Sequence, residues 1–221
     1  MAPIRVVVLL SGSGTTLQNI LDHIDRGQLS ARVVAVISSR QNAYGLERAR
    51  QRHIEAVPVP AKAFPDAHAF NAALWKEIRK HSPDLVVLAG FMSLLEVPHD
   101  YIHRIMNIHP ALIPAFCGKG MYGRHVHEAV ISYGAKITGA TVHFVDEEYD
   151  HGPIILQEAV PVLDDDTAET LEARVQAKER ELYPRAIQLF AEGRLRVEGR
   201  RVRIVAPRTP ESHVTEQTAD A

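Results

Sequence analysis

The 221-residue sequence predicts an α/β fold: a doubly wound, mostly parallel sheet with antiparallel strands toward the C-terminal half. Three observations predict it. Apolar runs without polar alternation, such as Ile4–Leu10, Ala31–Ser39 and Asp84–Gly90, have the composition of strands buried on both faces. Between them lie segments whose apolar residues recur at helical spacing. Later, Ile137–Val145 and Pro153–Val162 flank a short acidic turn, and read as an antiparallel pair or a long excursion.

Taken in order, Ile4–Leu10 leads into Ser11-Gly12-Ser13-Gly14-Thr15-Thr16. Leu17, Ile20, Leu21 and Ile24 then share a helical face, and Gly27 marks the stop. Ala31–Ser39 reads as the second strand, Tyr44–His53 as a helix and Ala56–Pro58 as a short third strand. Phe70, Ala73, Leu74 and Ile78 give an amphipathic helix that ends at Ser82-Pro83, ahead of the Asp84–Gly90 strand. Strands alternating with helices argue for right-handed βαβ units, a Rossmann-like arrangement. Residues 105–109 read as extended, and Pro110 stops that ladder because it has no N–H to give. Pro110–Gly123 has the composition of an irregular, mobile loop, and Arg124–Tyr133 of a helix. Asp164-Asp165-Asp166-Thr167 precedes a long helix to about Ala191. Asp166 is its expected N-cap with Glu169 three later, Leu171, Val175 and Leu182 its inward stripe, and Pro184 its expected kink or break. Arg194–Glu198 and Arg201–Val205 suggest a hairpin around Gly199, and the polar tail from Pro207 is expected to be disordered.

The length fits one large domain or two small ones, with neither repeat nor clear linker. A net charge of −2 leaves no electrostatic footprint for nucleic acid or an anionic membrane. No apolar run approaches the roughly 18 residues of a membrane helix. The single cysteine, Cys117, excludes an internal disulfide framework and suits a reducing compartment. With no signal-peptide layout at Met1–Arg5, the expectation is a cytoplasmic protein. A homodimer is compatible with the sequence.

In such sheets ligands sit beyond the carboxyl ends of the strands. Three segments fall there: Ser11–Thr16, Gly90–Leu95 and Asn107–Pro110. In an extended strand Asn107 and His109 share a face. There they either polarise a carbonyl and move a proton, or merely satisfy loop backbone. The N–H groups at the helix start after Ser11–Thr16 make an anion site, with Gly12 and Gly14 admitting a phosphate closely; the other reading is a tight βα turn. Gly90–Leu95 either walls a pocket for a flat heteroaromatic ring or folds onto the core. His143, on one face with Thr141 and Val145, is a site residue or a satisfied sheet histidine. Asp150 is a catalytic carboxylate or an Asx-type turn residue. Gln176 and Glu179 share a helix face that would ordinarily be solvated. His125 and His127 diverge by about 200° on a helix, a poor metal pair, and read as surface or loop-packing residues.

Ser11-Gly12-Ser13-Gly14-Thr15 before Leu17-Gln18, Leu88-Ala89-Gly90-Phe91-Met92, Asn107-Ile108-His109-Pro110, Thr141-x-His143-Phe144-Val145 and Asp150-x-Gly152-Pro153-Ile154-Ile155 closely resemble, in order and spacing, the phosphoribosylglycinamide formyltransferases. These are folate-dependent enzymes of de novo purine (IMP) synthesis, and the resemblance spans about residues 4–200. It implies that residues 1–206 are a single formyltransferase domain, with a ribonucleotide-phosphate-binding half at about 1–100 and a folate and catalytic half at about 101–206. The implied reaction moves the formyl group of 10-formyltetrahydrofolate, the co-substrate, to the amine of glycinamide ribonucleotide (GAR), with no metal.

By the same resemblance, His109 is the general acid/base and Asn107 the donor to the oxyanion. Asp150 orients His109 and, as a neighbouring carboxylate, is expected to raise its pKa. Gly14, Thr15 and Thr16 fall where the substrate phosphate is held, and Gln176 and Glu179 complete the ribonucleotide site. Met92, Ser93, Leu94 and Leu95 wall the folate pocket, with Asn107, Glu147 and Asp150 at its pterin end; His143 is a further candidate. Ser93 and Ala67 depart from the pattern, since relatives often carry arginine there and the folate tail loses two cations. Lys119, in the loop after Pro110, is a substrate or tail contact or a solvated residue. A 10-formyltetrahydrofolate hydrolase would use the same Asn107, His109 and Asp150 set on water, but such proteins usually carry a regulatory domain ahead of it. A methionyl-tRNA formyltransferase would add a basic C-terminal domain, where this chain has about 20 residues after the hairpin.

Overall fold

Successive side chains of β1 (Ile4–Leu10) enter two different cores, Val6, Val8 and Leu10 the one, Val7 and Leu9 the other. Both faces are covered, so the run shows no polar alternation. The computed structural model describes residues 2–207; the tail expected to be disordered lies outside the described residues apart from Pro207 itself. After β1 come α1 (Thr15–Asp25), β2 (Ala31–Ser38), α2 (Tyr44–Gln51), β3 (Glu55–Pro58), α3 (Ala67–Lys80), β4 (Leu85–Leu88) and β5 (Ile105–His109). Then follow α4 (Arg124–Tyr133), β6 (Ile137–Phe144), β7 (Ile154–Pro161), α5 (Ala168–Ala191), β8 (Leu195–Glu198) and β9 (Arg201–Ile204).

The strands form one sheet in the order β3-β2-β1-β4-β5-β6-β7-β9-β8. The first five are mutually parallel, and β6 and β7 continue antiparallel rather than as a long excursion. Leu17 and Ile20 of α1, Leu46 of α2, Val126 of α4 and Leu171, Val175 and Leu182 of α5 cover one face. Phe70, Leu74, Trp75 and Ile78 of α3 cover the other. Strand order reverses between β1 and β4, and that reversal opens a crevice at their carboxyl ends.

Two expectations about the long helix need correction. Its N-cap is Thr167, which forms a reciprocal capping box with Thr170, and not Asp166. Asp166 is instead gripped by Arg174 at 2.6 and 2.8 Å, which holds its carboxyl well below the usual carboxylate range. Pro184 does not divide α5, which runs unbroken from Ala168 to Ala191. Proline deprives the Arg180 carbonyl of its helical donor. The Asn19 amide of α1 donates to that carbonyl at 3.0 Å instead, so the lost bond becomes a helix–helix contact.

Candidate active site

The floor of the crevice is where β5 meets β6. Their antiparallel register sets Asn107 opposite His143 and His109 opposite Thr141, on one face as alternation requires. The Asn107 Nδ2 donates at 3.3 Å both to His143 Nε2 and to Asp150 Oδ1. His143 Nδ1 lies 2.8 Å from the Phe144 carbonyl, which can only accept, so its proton is on Nδ1 and Nε2 offers the lone pair. Asp150 reaches this floor from the β6–β7 turn at a φ of 53°. Gly152 permits the approach, because a Cβ there would stand 1.9 Å from the Phe144 carbonyl oxygen. The Gly118 N–H donates to Asp150 Oδ2 at 3.0 Å.

His109 is 2% exposed, with Nδ1 3.4 Å from Asp150 Oδ2 and Nε2 donating to the Phe116 carbonyl at 2.8 Å. The expected rise in its pKa is not found. Burial pushes the imidazole below its ordinary value, and the Asp150 carboxylate only partly offsets this. Burial also acts to raise the Asp150 carboxyl, but His143, His109 and the Gly118 N–H outweigh it, so Asp150 is held below its usual range. A neutral imidazole beside a firm carboxylate is the result.

This floor opens into a cavity of about 580 Å³. At one end is the start of α1. Gly14 caps it at a φ of 74° without a side-chain acceptor, and no acidic residue occupies the first turn. Its backbone donors and dipole are therefore left for an anion, and Thr15 and Thr16 line the cavity there. A Cβ on Gly14 would come within 2.6 Å of Gly45 Cα, so glycine is also needed for α1 to pack on α2. Met92, Ser93, Leu94 and Leu95 form an apolar wall. The Met92 N–H donates at 2.9 Å to Ser11 Oγ, which ties this wall to the turn after β1. Across from it α5 contributes Glu172, Gln176 and Glu179. Burial and the nearby Glu172 push the Glu179 carboxyl up to about 7.

The predicted residues therefore converge: Thr15, Thr16, Met92–Leu95, Asn107, His109, His143, Asp150, Gln176 and Glu179 all line one cavity. Glu147 does not. It is exposed, and its neighbours Asp146, Glu148 and Tyr149 line the cavity in its place. The reading of His127 as a surface or loop-packing residue is corrected: it is 1% exposed and lines the cavity, while His125 is exposed. Their opposed directions on α4 are what the helical angle requires. Glu172 was missed, although it sits one helical turn before Gln176. Tyr183 was missed too; its buried hydroxyl lies 2.9 Å from the Leu88 and Met106 carbonyls, its one proton shared between them, and it fixes the ends of β4 and β5. Among the described lining residues Lys119 is the only lysine or arginine. The one cluster of metal-type donors among the described residues is Glu55, Glu77 and His81, none of which lines the cavity. No helix among the described residues is long and apolar enough to cross a membrane.

A doubly wound sheet with a neutral histidine and an amide at the carboxyl end of β5, and a carboxylate beside them, defines a class equipped to polarise a carbonyl and move a proton. The chain belongs to the formyl transferase family, whose model matches residues 4–187. Within that family it is 42% identical to the phosphoribosylglycinamide formyltransferase of Escherichia coli (strain K12) over 196 residues, 87% of this chain and 90% of that protein. The structure matches glycinamide ribonucleotide transformylase 1 from Symbiobacterium toebii with a TM-score of 0.86 and 50% identity, covering 92% of this chain and 95% of that one. A formyltetrahydrofolate deformylase from Pseudomonas syringae matches with a TM-score of 0.81 over 92% of this chain and 66% of its own, at 28% identity. The shared fold thus serves both acceptors, and the sequence lies nearer the transferases.

Proposed function

We infer that the protein transfers the formyl group of 10-formyltetrahydrofolate to the amine of phosphoribosylglycinamide, releasing tetrahydrofolate, in purine biosynthesis. The observation that carries this reading is a single cavity. It joins a helix N-terminus without a side-chain cap, fit for a phosphate, to the Asn107–His109–His143–Asp150 floor.

The substrate amine attacks the formyl carbon and the carbonyl oxygen becomes an alkoxide. The carbon–nitrogen bond to the folate then breaks, and the proton lost by the amine ends on the departing folate nitrogen. His109 relays that proton. Its burial keeps the ring neutral near pH 7, so it acts first as a base. Nε2 already carries a hydrogen, held by Phe116, which leaves Nδ1 as the basic nitrogen. The imidazolium formed there stands 3.4 Å from Asp150, which stabilises it without taking the proton. Asn107 donates to the alkoxide, a contribution of about 3 kcal/mol for a well-aimed donor. Its two present bonds are long, at 3.3 Å, so an N–H is readily redirected.

Thr15 and Thr16, beyond the Gly14 cap, hold the phosphate, and Gln176 and Glu179 the rest of the ribonucleotide. Met92–Leu95 wall the folate ring, the Asp146–Asp150 turn closes its pterin end, and Lys119 faces its tail carboxylates. Residues 1–206 act as one formyltransferase domain in which each ligand draws on both halves of the chain. A reducing cytoplasm suits the lone Cys117.

The test is to supply 10-formyltetrahydrofolate with and without phosphoribosylglycinamide and to follow tetrahydrofolate release. Turnover that requires the ribonucleotide is expected. Equal turnover without it would establish a deformylase instead.

A further inference from the structure

His127 is a buried titratable group in the cavity that the mechanism above leaves unused and that, unlike His143, is bonded to nothing on the floor. It lies on α4, 1% exposed, and its Nδ1 is wholly enclosed without a hydrogen-bond partner among the described residues. Buried polar nitrogens are almost always hydrogen-bonded. Nδ1 is sealed from the cavity, but Nε2, which also has no hydrogen-bond partner among the described residues, is not enclosed, and it is the nitrogen a ligand in the cavity can meet. The acidic wall opposite is equally uncommitted. Glu172 accepts only from the Gln176 amide at 3.0 Å, and Glu179 has neither a hydrogen bond nor an ion pair among the described residues. His127 lies within electrostatic reach of both Glu172 and His109, and α5, which carries the two glutamates, packs on α1, at whose start Thr15 and Thr16 line the same cavity.

We propose that His127 is a ribonucleotide-binding residue whose unpartnered imidazole, together with Glu172 and Glu179, grips a neutral hydrogen-bonding group lying between the phosphate and the reacting amine. The inference rests on the reading of phosphoribosylglycinamide as substrate and assigns part of its site. Burial lowers the pKa of His127 although Glu172 pulls the other way, and His109 acts with burial, so the ring is neutral near pH 7. A neutral imidazole offers one N–H and one lone pair, Glu172 offers acceptors, and the Glu179 carboxyl, raised to about 7, offers an acceptor and, when protonated, an O–H donor. That set suits a sugar hydroxyl or an amide, and not the phosphate, which has the N-terminus of α1. A side chain present only for packing would gain by being hydrocarbon, so the ring nitrogens are costly unless a ligand uses them.

His127→Leu and His127→Asn separate binding from packing. Calorimetry without folate should show the Kd for phosphoribosylglycinamide raised at least about tenfold in both variants, the loss of a buried hydrogen bond. In turnover the ribonucleotide KM should rise in step, while the folate KM and kcat stay within about threefold. The His127→Leu melting temperature should match or exceed that of the wild type. Ribose 5-phosphate distinguishes the two sources of the contact. If its Kd rises in parallel the contact is a sugar hydroxyl, and if its Kd is unchanged the contact is the glycinamide amide; either result supports the role. An unchanged ribonucleotide Kd in both variants, or a fall in melting temperature with both KM values rising together, overturns it. Wild-type protein that binds the ribonucleotide without formylating it would reject the proposed reaction and leave the calorimetric test of His127 standing.

Discussion

The floor of the cavity and its wall on α4 and α5 are built on opposite plans. On the floor every polar side chain is bonded to another part of the protein: Asn107 to His143 and Asp150, His143 to the Phe144 carbonyl, His109 to the Phe116 carbonyl, Asp150 to the Gly118 N–H. On the wall Glu172 and Gln176 bond chiefly to each other, while His127 and Glu179 have no side-chain partner among the described residues. In the proposed mechanism the imidazolium meets the Asp150 charge already in place, while Asn107 gives up one of its two long bonds to reach the alkoxide. The wall keeps its hydrogen-bonding capacity for a ligand, at some cost to stability. Chemistry and binding are thereby assigned to different strands and helices.

Breaking the floor should have the largest effect. His109→Ala is expected to lower kcat by about 100- to 10,000-fold, the usual worth of a positioned acid/base, with little change in either KM. A near-normal kcat would remove His109 from the mechanism. The pH profile sharpens the same point. Because burial lowers the pKa of His109, kcat/KM should hold to below pH 6.5 and fall only as the ring gains its proton. Asp150→Asn removes the influence that opposes burial, so its acid limb should move to still lower pH. A limb above 6.5 would mean that the carboxylate, not burial, dominates.

On the wall, Glu179→Gln should act on stability as well as on binding. The carboxyl is raised from 4.5 to about 7, so its contribution is fully present below pH 4.5 and is lost as pH rises through 7. The variant should therefore melt about 2–4 °C above wild type at pH 8 and show no such advantage at pH 4, by thermal denaturation. The smallest effect belongs to the support beneath the floor. Tyr183→Phe leaves the Leu88 and Met106 carbonyls without their donor and should lower stability by about 1–2 kcal/mol in urea unfolding, with KM values unchanged.

Much of this was legible in the sequence, for reasons that differ between residues. The apolar runs of β1, β2 and β4 show the parallel sheet because strands covered on both faces cannot alternate. Asn107 and His109 share a face by the two-residue period of a strand, and Asp150-x-Gly152 is held together by the close approach to Phe144. What sequence could not show depends on distant packing. His127 looks like a surface histidine until α5 packs on α4 and encloses it. The pKa of His109 could not be signed from its neighbour alone, because the competing effect is burial. The cap at Thr167 rather than Asp166 was decided by Arg174, eight residues on from Asp166, and Pro184 was tolerated because Asn19 lies across from it.

The division between floor and wall is tested most directly by Asp150→Asn, which changes one oxygen to nitrogen and leaves the wall untouched. Its single-turnover formylation rate should be measured beside its Kd for phosphoribosylglycinamide. The account predicts a rate at least about 100-fold below wild type with the Kd within about threefold. A rate near that of the wild type, or a loss seen only in the Kd, would contradict it.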